Sequence, residues 1–402
     1  MKRRIIANPP ISIYDQGGTE IKHATFLYLL DTIARFRRMC GEEVIFPSRS
    51  YNVFGQKANG WVQEDLDFDM FHQEIISRVD RVIASDKPIR ERMNLGSLDL
   101  LLDNDEGIIM GVKSDFSLLV KRGYIFREGN RYYLDCLRIH RDFNLDEILN
   151  SVFIHPNKAS SEMRSLIKTK TERPVVITRS SFYAPENPLG GQNIGPLFTL
   201  SRLWDHKYPD SKFTMAASNN VLLKYVFLRF LTNVALYGTP GFDELIIWPK
   251  VYFEGGNDNW SLGNLLKTPY DADMLRVALL SKYPTQDTRV ALSVSDLKGS
   301  RNFVYLIANL RKPLRGQNHH FPSIEPQYFV DMRGFKYPKV LQKLEIEARD
   351  ISHQINDFKD RSLFDMENKR RLCQRYSLLL YHLTPFMPAT VDLAMREMED
   401  VI

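Results

Sequence analysis

The sequence predicts an α/β protein: a Rossmann-like parallel-sheet core split by an insertion and followed by a C-terminal α-helical bundle. Three observations predict it. Two short apolar strands flank a helix between Arg4 and Phe46, the order of a parallel βαβ unit. A charged, mostly helical stretch then interrupts the α/β pattern, which resumes near Arg173. From Thr285 to the end the pattern is helical, apart from an irregular connection rich in Pro, Gly and His over Lys312 to Tyr337.

Each element has its local reason. Arg4 to Ala7 and Glu43 to Phe46 read as short buried strands. Between them come Pro9-Pro10, a Gly17-Gly18 loop, and a helix over Ala24 to Met39 with Leu27, Leu30, Ile33 and Ala34 on one face. Arg35, Arg37 and Arg38 load its last turn, where cations suit the dipole, and read as a solvated helix end; Cys40-Gly41 stops it. The stretch from Trp61 carries one hairpin, with strands at Tyr124 to Phe126 and Arg131 to Leu134 around a turn at Arg127 to Asn130. Helix plus hairpin suggests a winged-helix-like insertion. The core resumes with strands at Pro174 to Thr178, Lys212 to Met215 and Glu244 to Phe253, and a long apolar helix from Val221 to Leu236 closed by Gly238. Leu341 to Phe358, Arg371 to Leu383 and Ala389 to Met398 are the amphipathic helices of the closing bundle. The expected division is therefore 1–60 for the first half of the core, 61–170 for the insertion, 171–284 for the second half and 285–402 for the bundle.

Bulk properties narrow the function. A chain of 402 residues, 44% hydrophobic and 26% charged, reads as an ordinary soluble protein of several domains. No apolar run is long enough to span a bilayer, and the apolar run after the basic N-terminus is too short for a signal peptide. Cys40, Cys136 and Cys373 are too far apart for a zinc knuckle or a disulfide framework, which fits a reducing cytoplasm. No metal site is expected, since His319-His320 have no third ligand at a recognisable spacing. A net charge of +5 is too mild to argue for a polyanion, and DNA is not expected as a partner. Trp204 and Trp248 read as packing residues, and Lys298, Arg301, Arg311, Lys312 and Arg315 as a solvated face.

Four stretches carry a family resemblance. The first is Ile5 to Gly55, with its Gly-Gly loop, arginine-rich helix end and Asn52-x-x-Gly55. The second is Ile177-Thr-Arg179-Ser-Ser-Phe-Tyr183-Ala-Pro185. The third runs from Asn219 through Arg229-Phe230, Gly255-Gly256 and Ser261-Leu-Gly263-Asn264 to Asp271-Ala-Asp273-Met-Leu-Arg276. The fourth is Asp296-Leu-Lys-Gly-Ser-Arg-Asn-Phe303 with Leu378 to Pro388. In this order they resemble the class I aminoacyl-tRNA synthetases, most closely the leucyl, isoleucyl, valyl and methionyl group. The resemblance implies a class I core and a bundle like the anticodon-binding domain. It also implies activation of an amino acid by ATP with magnesium to an aminoacyl-adenylate, then transfer to a nucleophile. The insertion leaves no room for a full editing domain.

The resemblance also implies the site, and the sequence departs from it. The family's His-Ile-Gly-His motif falls on Glu20-Ile21-Lys22-His23, which keeps the second histidine only. Glu20 puts a carboxylate where a polyphosphate sits, and the Lys22 side chain occupies the place where adenine packs on a glycine. The Lys-Met-Ser-Lys-Ser motif falls on Asn257 to Ser261, without either lysine; Lys267 is a nearby substitute cation. Its lost charges neutralise the leaving pyrophosphate in the family. His23, Lys22 and Lys267 are thus the candidate catalytic residues. Pro9, Gly17, Gly18, Glu20, Asn52, Ser218, Asn219, Asn220, Trp260, Ser261 and Asn264 are the candidate ATP and substrate contacts. Three functions fit: an ATP-dependent aminoacyl ligase acting on tRNA or a small-molecule amine, a transferase that takes preformed aminoacyl-tRNA and needs no ATP, and a non-catalytic binding paralogue.

Overall fold

The computed structural model describes residues 3–7, 11–12, 21–52, parts of 77–102, 104–180, 184–217, 220–247, 250–254, 265–266, 269–283, 289–314, 324–360 and 365–399. They form two compact units. One comprises Met1–Gly18, Gly41–Lys87 and Ser97–Trp248; the other comprises Thr19–Cys40, Pro88–Gly96 and Pro249–Ile402.

The first unit is built on a five-stranded parallel sheet. Strands β1 (Arg4–Ala7), β3 (Val44–Ile45), β8 (Phe153–His155), β12 (Lys212–Ala217) and β13 (Glu244–Ile247) lie in the order β3-β1-β12-β13-β8. All four pairings are parallel, with Arg4 opposite Val44 and Lys212, Thr214 opposite Glu244, and Ile246 opposite His155. Apolar runs such as Ile5-Ile6-Ala7 and Met215-Ala216-Ala217 are fully buried, as a sheet covered on both faces requires. Strand β8 was not foreseen: it lies in the stretch read as the insertion, yet it forms the edge of the core sheet. The amino edge of the sheet is closed by paired polar groups. Arg4 Nε donates to Glu42 at 2.9 Å, and Thr214 Oγ1 donates to Glu244 at 2.6 Å.

Three helices pack around this sheet through a buried ionic network. They are α2 (Glu106–Lys121), α6 (Pro196–Lys207) and α7 (Asn220–Tyr237); α3 (Cys136–Asp142), α4 (Leu145–Asn150) and α5 (Asn157–Lys170) lie between the first two in the chain. Arg202 donates to Asp115 at 2.7 Å and pairs with Asp205 at 2.7 Å. Arg229 grips Asp205 with two nitrogens, at 2.6 and 3.0 Å, and donates to the carbonyls of Ser201 and Gly241. Burial alone would raise the Asp115 carboxyl, but the His206 hydrogen bond and the Arg202 charge outweigh it and hold it below the usual range. Trp204 is fully buried, as a packing residue should be.

The expected hairpin is present as β6 (Ile125–Glu128) and β7 (Arg131–Leu134), with Arg131 opposite Glu128. The expected strand at Pro174 to Thr178 is different in kind. It is two short strands, neither in the parallel sheet: β9 (Val175–Val176) runs antiparallel to β7, and β10 (Thr178–Arg179) antiparallel to β11 (Asn193–Ile194). Ile177 divides them because its N–H bonds back to Tyr132 while its carbonyl accepts from Gly195. A three-stranded parallel sheet, β2 (Ile11–Ser12), β4 (Arg49–Asn52) and β5 (Leu100–Leu102), completes the described strands of this unit.

The second unit holds the long helix α1 (Ile21–Met39) and the bundle helices. The stretch Glu244 to Phe253 proves to be two strands, since β14 (Lys250–Phe253) leaves the core sheet and pairs parallel with β15 (Arg289–Leu292) through helix α8 (Pro269–Ser281). Strand β15 corrects the reading of an unbroken helical pattern after Thr285. The bundle is α9 (Val294–Leu310), α10 (Pro326–Arg333), α11 (Tyr337–Asp360), α12 (Met366–Leu383) and α13 (Pro388–Glu399). Helix α10 lies inside the stretch read as irregular; Pro326 at its first turn starts it rather than breaking it. The arginine-rich end of α1 is not a solvated end. Arg37 is 7% exposed, and Arg35 donates to Asp31 and to the Asn94 carbonyl.

Candidate functional site

In an open parallel sheet, ligands bind beyond the carboxyl ends of the strands, where the strand order reverses. Here the chain leaves β1 for β3 on one side, and β12 leads to β13 on the other, so the reversal lies between β1 and β12. Ala7 ends β1 two residues before Pro9, and Ala217 ends β12 three residues before Asn220. The register sets Ala7 opposite Met215, so the carboxyl ends of these two strands lie side by side; Pro9, Ser218 and Asn219 follow them in sequence, outside the described residues. Ala7, Ala216 and Ala217 are fully buried small residues, which leaves the backbone close to whatever lies beyond them. The polar groups at the opposite edge are already paired with one another, so the carboxyl edge is the available one.

Asn220 is the first residue of α7, and that helix is held by Arg229. The first turn of a helix has N–H groups without intrahelical partners, which makes such an N-terminus a fitting cradle for an anionic group. At the same edge β8 ends with His155, buried and opposite Ile246. Burial lowers its imidazole to about 4, so the ring is neutral at pH 7. Sequence reasoning missed His155; the only signal was the short apolar run Val152-Phe153-Ile154 just before it.

The other candidates fall as follows. Lys22 and His23 lie in the first turn of α1, in the second unit; only their backbone is described. Asn52 ends β4, opposite Ser12. Pro9, Gly17, Gly18, Glu20, Ser218, Asn219, Trp260, Ser261, Asn264 and Lys267 lie outside the described residues, as do Trp248, Asn257 to Asn259 and His319-His320.

Helix α1 is set by a buried lock. Asp31, 0% exposed, accepts from Arg276 at 2.6 Å, from Arg35 at 2.7 Å and from the Gly96 N–H at 2.8 Å. Arg276 also donates to the carbonyls of Asn94 and Pro385. Three residues away, Asp273 accepts from the N–H and the hydroxyl of Thr390 at 2.6 and 2.7 Å, which caps α13 from another helix. The Asp271-Ala-Asp273-Met-Leu-Arg276 stretch thus fixes the helix whose first turn carries Lys22 and His23.

A surface groove of about 600 Å³ in the first unit is lined by Leu137, His140, Asp146, Arg164, Lys168 and Glu172, among others. Its charges are mixed and Arg164 is already paired with Asp146, so it lacks the convergent polar groups of a reaction site. Among the described residues no group of three His, Cys, Asp or Glu side chains is placed to hold a metal, and no helix is long and apolar enough to cross a membrane.

No family model matches the chain, and no curated protein matches it. Solved structures do. A Mycobacterium tuberculosis methionyl-tRNA synthetase bound by methionyl-adenylate is similar over 98% of this chain and 94% of its own, at 12% identity and a TM-score of 0.70. A second structure of that synthetase with methionyl-adenylate is similar over 98% and 93%, at 13% identity and a TM-score of 0.70. The chain has a class I synthetase fold. The class I fold accounts for the parallel core and for the C-terminal helices together, since the likeness runs through nearly the whole chain.

Proposed function

We propose that this protein is an aminoacyl ligase of class I synthetase type, repurposed from ordinary tRNA charging. It activates an amino acid with ATP to an aminoacyl-adenylate and passes the acyl group to an amine or to tRNA. The observation that supports it most is the pairing of β1 with β12 at the reversal of the sheet, in a fold shared with structures that hold methionyl-adenylate.

ATP is a co-substrate in this reading, and magnesium enters on its phosphates. The α7 N-terminus and the Ser218 to Asn220 run receive the substrate's polar groups. Asn219 and Asn220 supply hydrogen bonds without charge, so they suit a ribose hydroxyl or an α-amino group. His23 contacts the phosphates, Lys267 stands in for the missing motif lysines, and Lys22 offsets the Glu20 carboxylate beside it. Amino-acid-dependent exchange of labelled pyrophosphate into ATP tests this. Exchange with at least one amino acid, reduced by His23→Ala, is expected. Its absence across all standard amino acids would sink the reading.

One observation favours a second reading. Asn257 to Ser261 carries neither motif lysine. A transferase that receives preformed aminoacyl-tRNA has no pyrophosphate to expel and needs neither. Product from aminoacyl-tRNA without ATP, alongside absent exchange, would select it. A reducing cytoplasm suits both, as no disulfide joins Cys40, Cys136 and Cys373.

A further inference from the structure

We propose that the outer face of the β6-β7-β9 sheet is a stacking platform for unpaired nucleotides of an RNA. The inference goes beyond the reaction above and does not require adenylate formation.

Strand alternation puts Phe126, Tyr133 and Val176 on one face. They are register partners in a row, Phe126 opposite Tyr133 and Tyr133 opposite Val176. The opposite face holds Ile125 and Leu134, both buried, so the core side of this sheet is already decided. The row faces away from that core and stays open. Phe126 is 39% exposed and Val176 46%. The Phe126 and Tyr133 rings are stacked, with centroids 5.5 Å apart and planes 13° from parallel. A cross-strand aromatic pair stabilises a hairpin modestly. That role alone is equally served by a pair covered by neighbouring side chains. Phe126 is exposed and Tyr133 half-buried, so this flat, parallel pair presents the π-face of Phe126, which a third ring extends.

Charge decides what that third ring belongs to. From Lys121 to Arg173 the chain carries eleven Lys and Arg against seven Asp and Glu, so most of the whole protein's +5 lies in this segment. Several of these cations are exposed and have no carboxylate partner among the described residues: Lys121, Arg131, Arg141, Lys168, Lys170 and Arg173. Arg131 stands on the same face as the aromatic row, next to the turn and opposite Glu128. Aromatic side chains interleaved with unpaired cations suit a ligand that alternates flat bases with phosphates. Paired RNA hides its bases in the stack and offers nothing to Phe126 and Tyr133, so the ligand is unpaired. An acidic protein surface satisfies the cations but leaves the ring faces without a partner.

Fluorescence anisotropy with a labelled unpaired RNA and a fully paired hairpin of equal length tests this on the full chain. The unpaired RNA should bind more tightly, and its affinity should fall steeply with salt. Phe126→Leu keeps an apolar side chain but removes the ring; it should weaken binding about tenfold. Phe126→Trp should retain binding, which separates stacking from a loss of fold. Arg131→Glu should weaken binding and flatten the salt dependence. Equal binding of paired RNA, or of a polyglutamate chain, with no effect of Phe126→Leu would overturn the proposal. Pyrophosphate exchange uses no RNA and should be unchanged in Phe126→Leu. Failure of exchange in the wild type therefore counts against the ligase reading alone.

Discussion

Arg276 reaches Asp31 across 2.6 Å, and both side chains are 0% exposed. Burial alone would raise the Asp31 carboxyl, but the Arg276 charge, then that of Arg35, holds it below the usual range. A buried pair of this kind is costly to break because one charge is left behind. Arg276→Met should destabilise the protein by about 3 kcal/mol in urea unfolding. Arg276→Met with Asp31→Leu should recover part of that loss, since the fully buried carboxylate is removed with its partner and only the partly buried Arg35 loses a pair. A single-variant loss below about 1 kcal/mol would show that Arg35 and the Gly96 N–H satisfy Asp31 without Arg276.

Asp273 titrates the other way. Burial is the largest influence; the Arg276 charge and the hydrogen bonds from Thr390 and Ala389 only partly oppose it, and the carboxyl is pushed up to about 6. An acid raised in the folded state binds its proton more tightly folded than unfolded. Its contribution is fully present below about pH 4 and is lost as pH rises through 6, a change of about 3 kcal/mol. His155 and His382, both lowered to about 4 by burial, give the opposite slope. The difference between wild type and Asp273→Asn isolates the effect. Stability of the variant relative to wild type should rise between pH 4 and pH 7; a constant difference would refute the shift.

Gly241 is tied to the same buried network as α7. Its carbonyl accepts from Arg229 at 2.8 Å, its φ is +74°, and a Cβ there would overlap the Asn233 side chain. Gly241→Ala therefore meets both a left-handed backbone, costing about 1–2 kcal/mol, and a steric clash. Adding Asn233→Ala should relieve the part of the clash made by the amide and leave the backbone cost, because the Asn233 Cβ itself lies 2.8 Å from the added Cβ. Thermal unfolding of the two variants measures that part. If the double variant is no better than the single one, the backbone and the remaining Cβ contact account for the loss.

What was legible in the sequence follows from the range of each signal. The strand around Ile5 and the helix after it were legible because apolar periodicity is local. The Arg127 to Asn130 turn was legible because it is short and flanked by aromatic strands. Pro174 to Thr178 was legible as extended chain but not as a hairpin's third strand, since periodicity names a conformation and not a partner. Phe153 to His155 escaped because three residues between charged helices carry too little pattern. Arg37 was misread because a cation at a helix end is usually solvated, and only tertiary packing buries it. Asp273 and Arg276 were noticed as part of a family-like stretch, but nothing local says that their partners are Thr390 and Asp31. The pairing of β1 with β12 joins strands more than 200 residues apart in the chain, which no local pattern names, and His155 became visible only with the sheet.

The ligase reading makes its sharpest prediction at the changed positions of the first motif. In that reading Glu20 would set a carboxylate near a triphosphate, and at a few ångströms in a partly dry site such a repulsion would reach several kcal/mol. Lys22 would add a long side chain where the family packs adenine against a glycine. If adenylate formation survives in this chain, both changes slow it. Glu20→His with Lys22→Gly should therefore raise the rate of pyrophosphate exchange at least tenfold, with His23 left in place to serve the restored motif. Adding His23→Ala to that pair should abolish the gain. If the protein is instead a transferase fed by aminoacyl-tRNA, the same pair should leave transfer from the preformed ester unchanged and produce no exchange at all. A pair of variants that neither gains exchange nor keeps transfer would indicate that Glu20 and Lys22 have been recruited to a contact of their own, and both readings would then lose their basis in this motif.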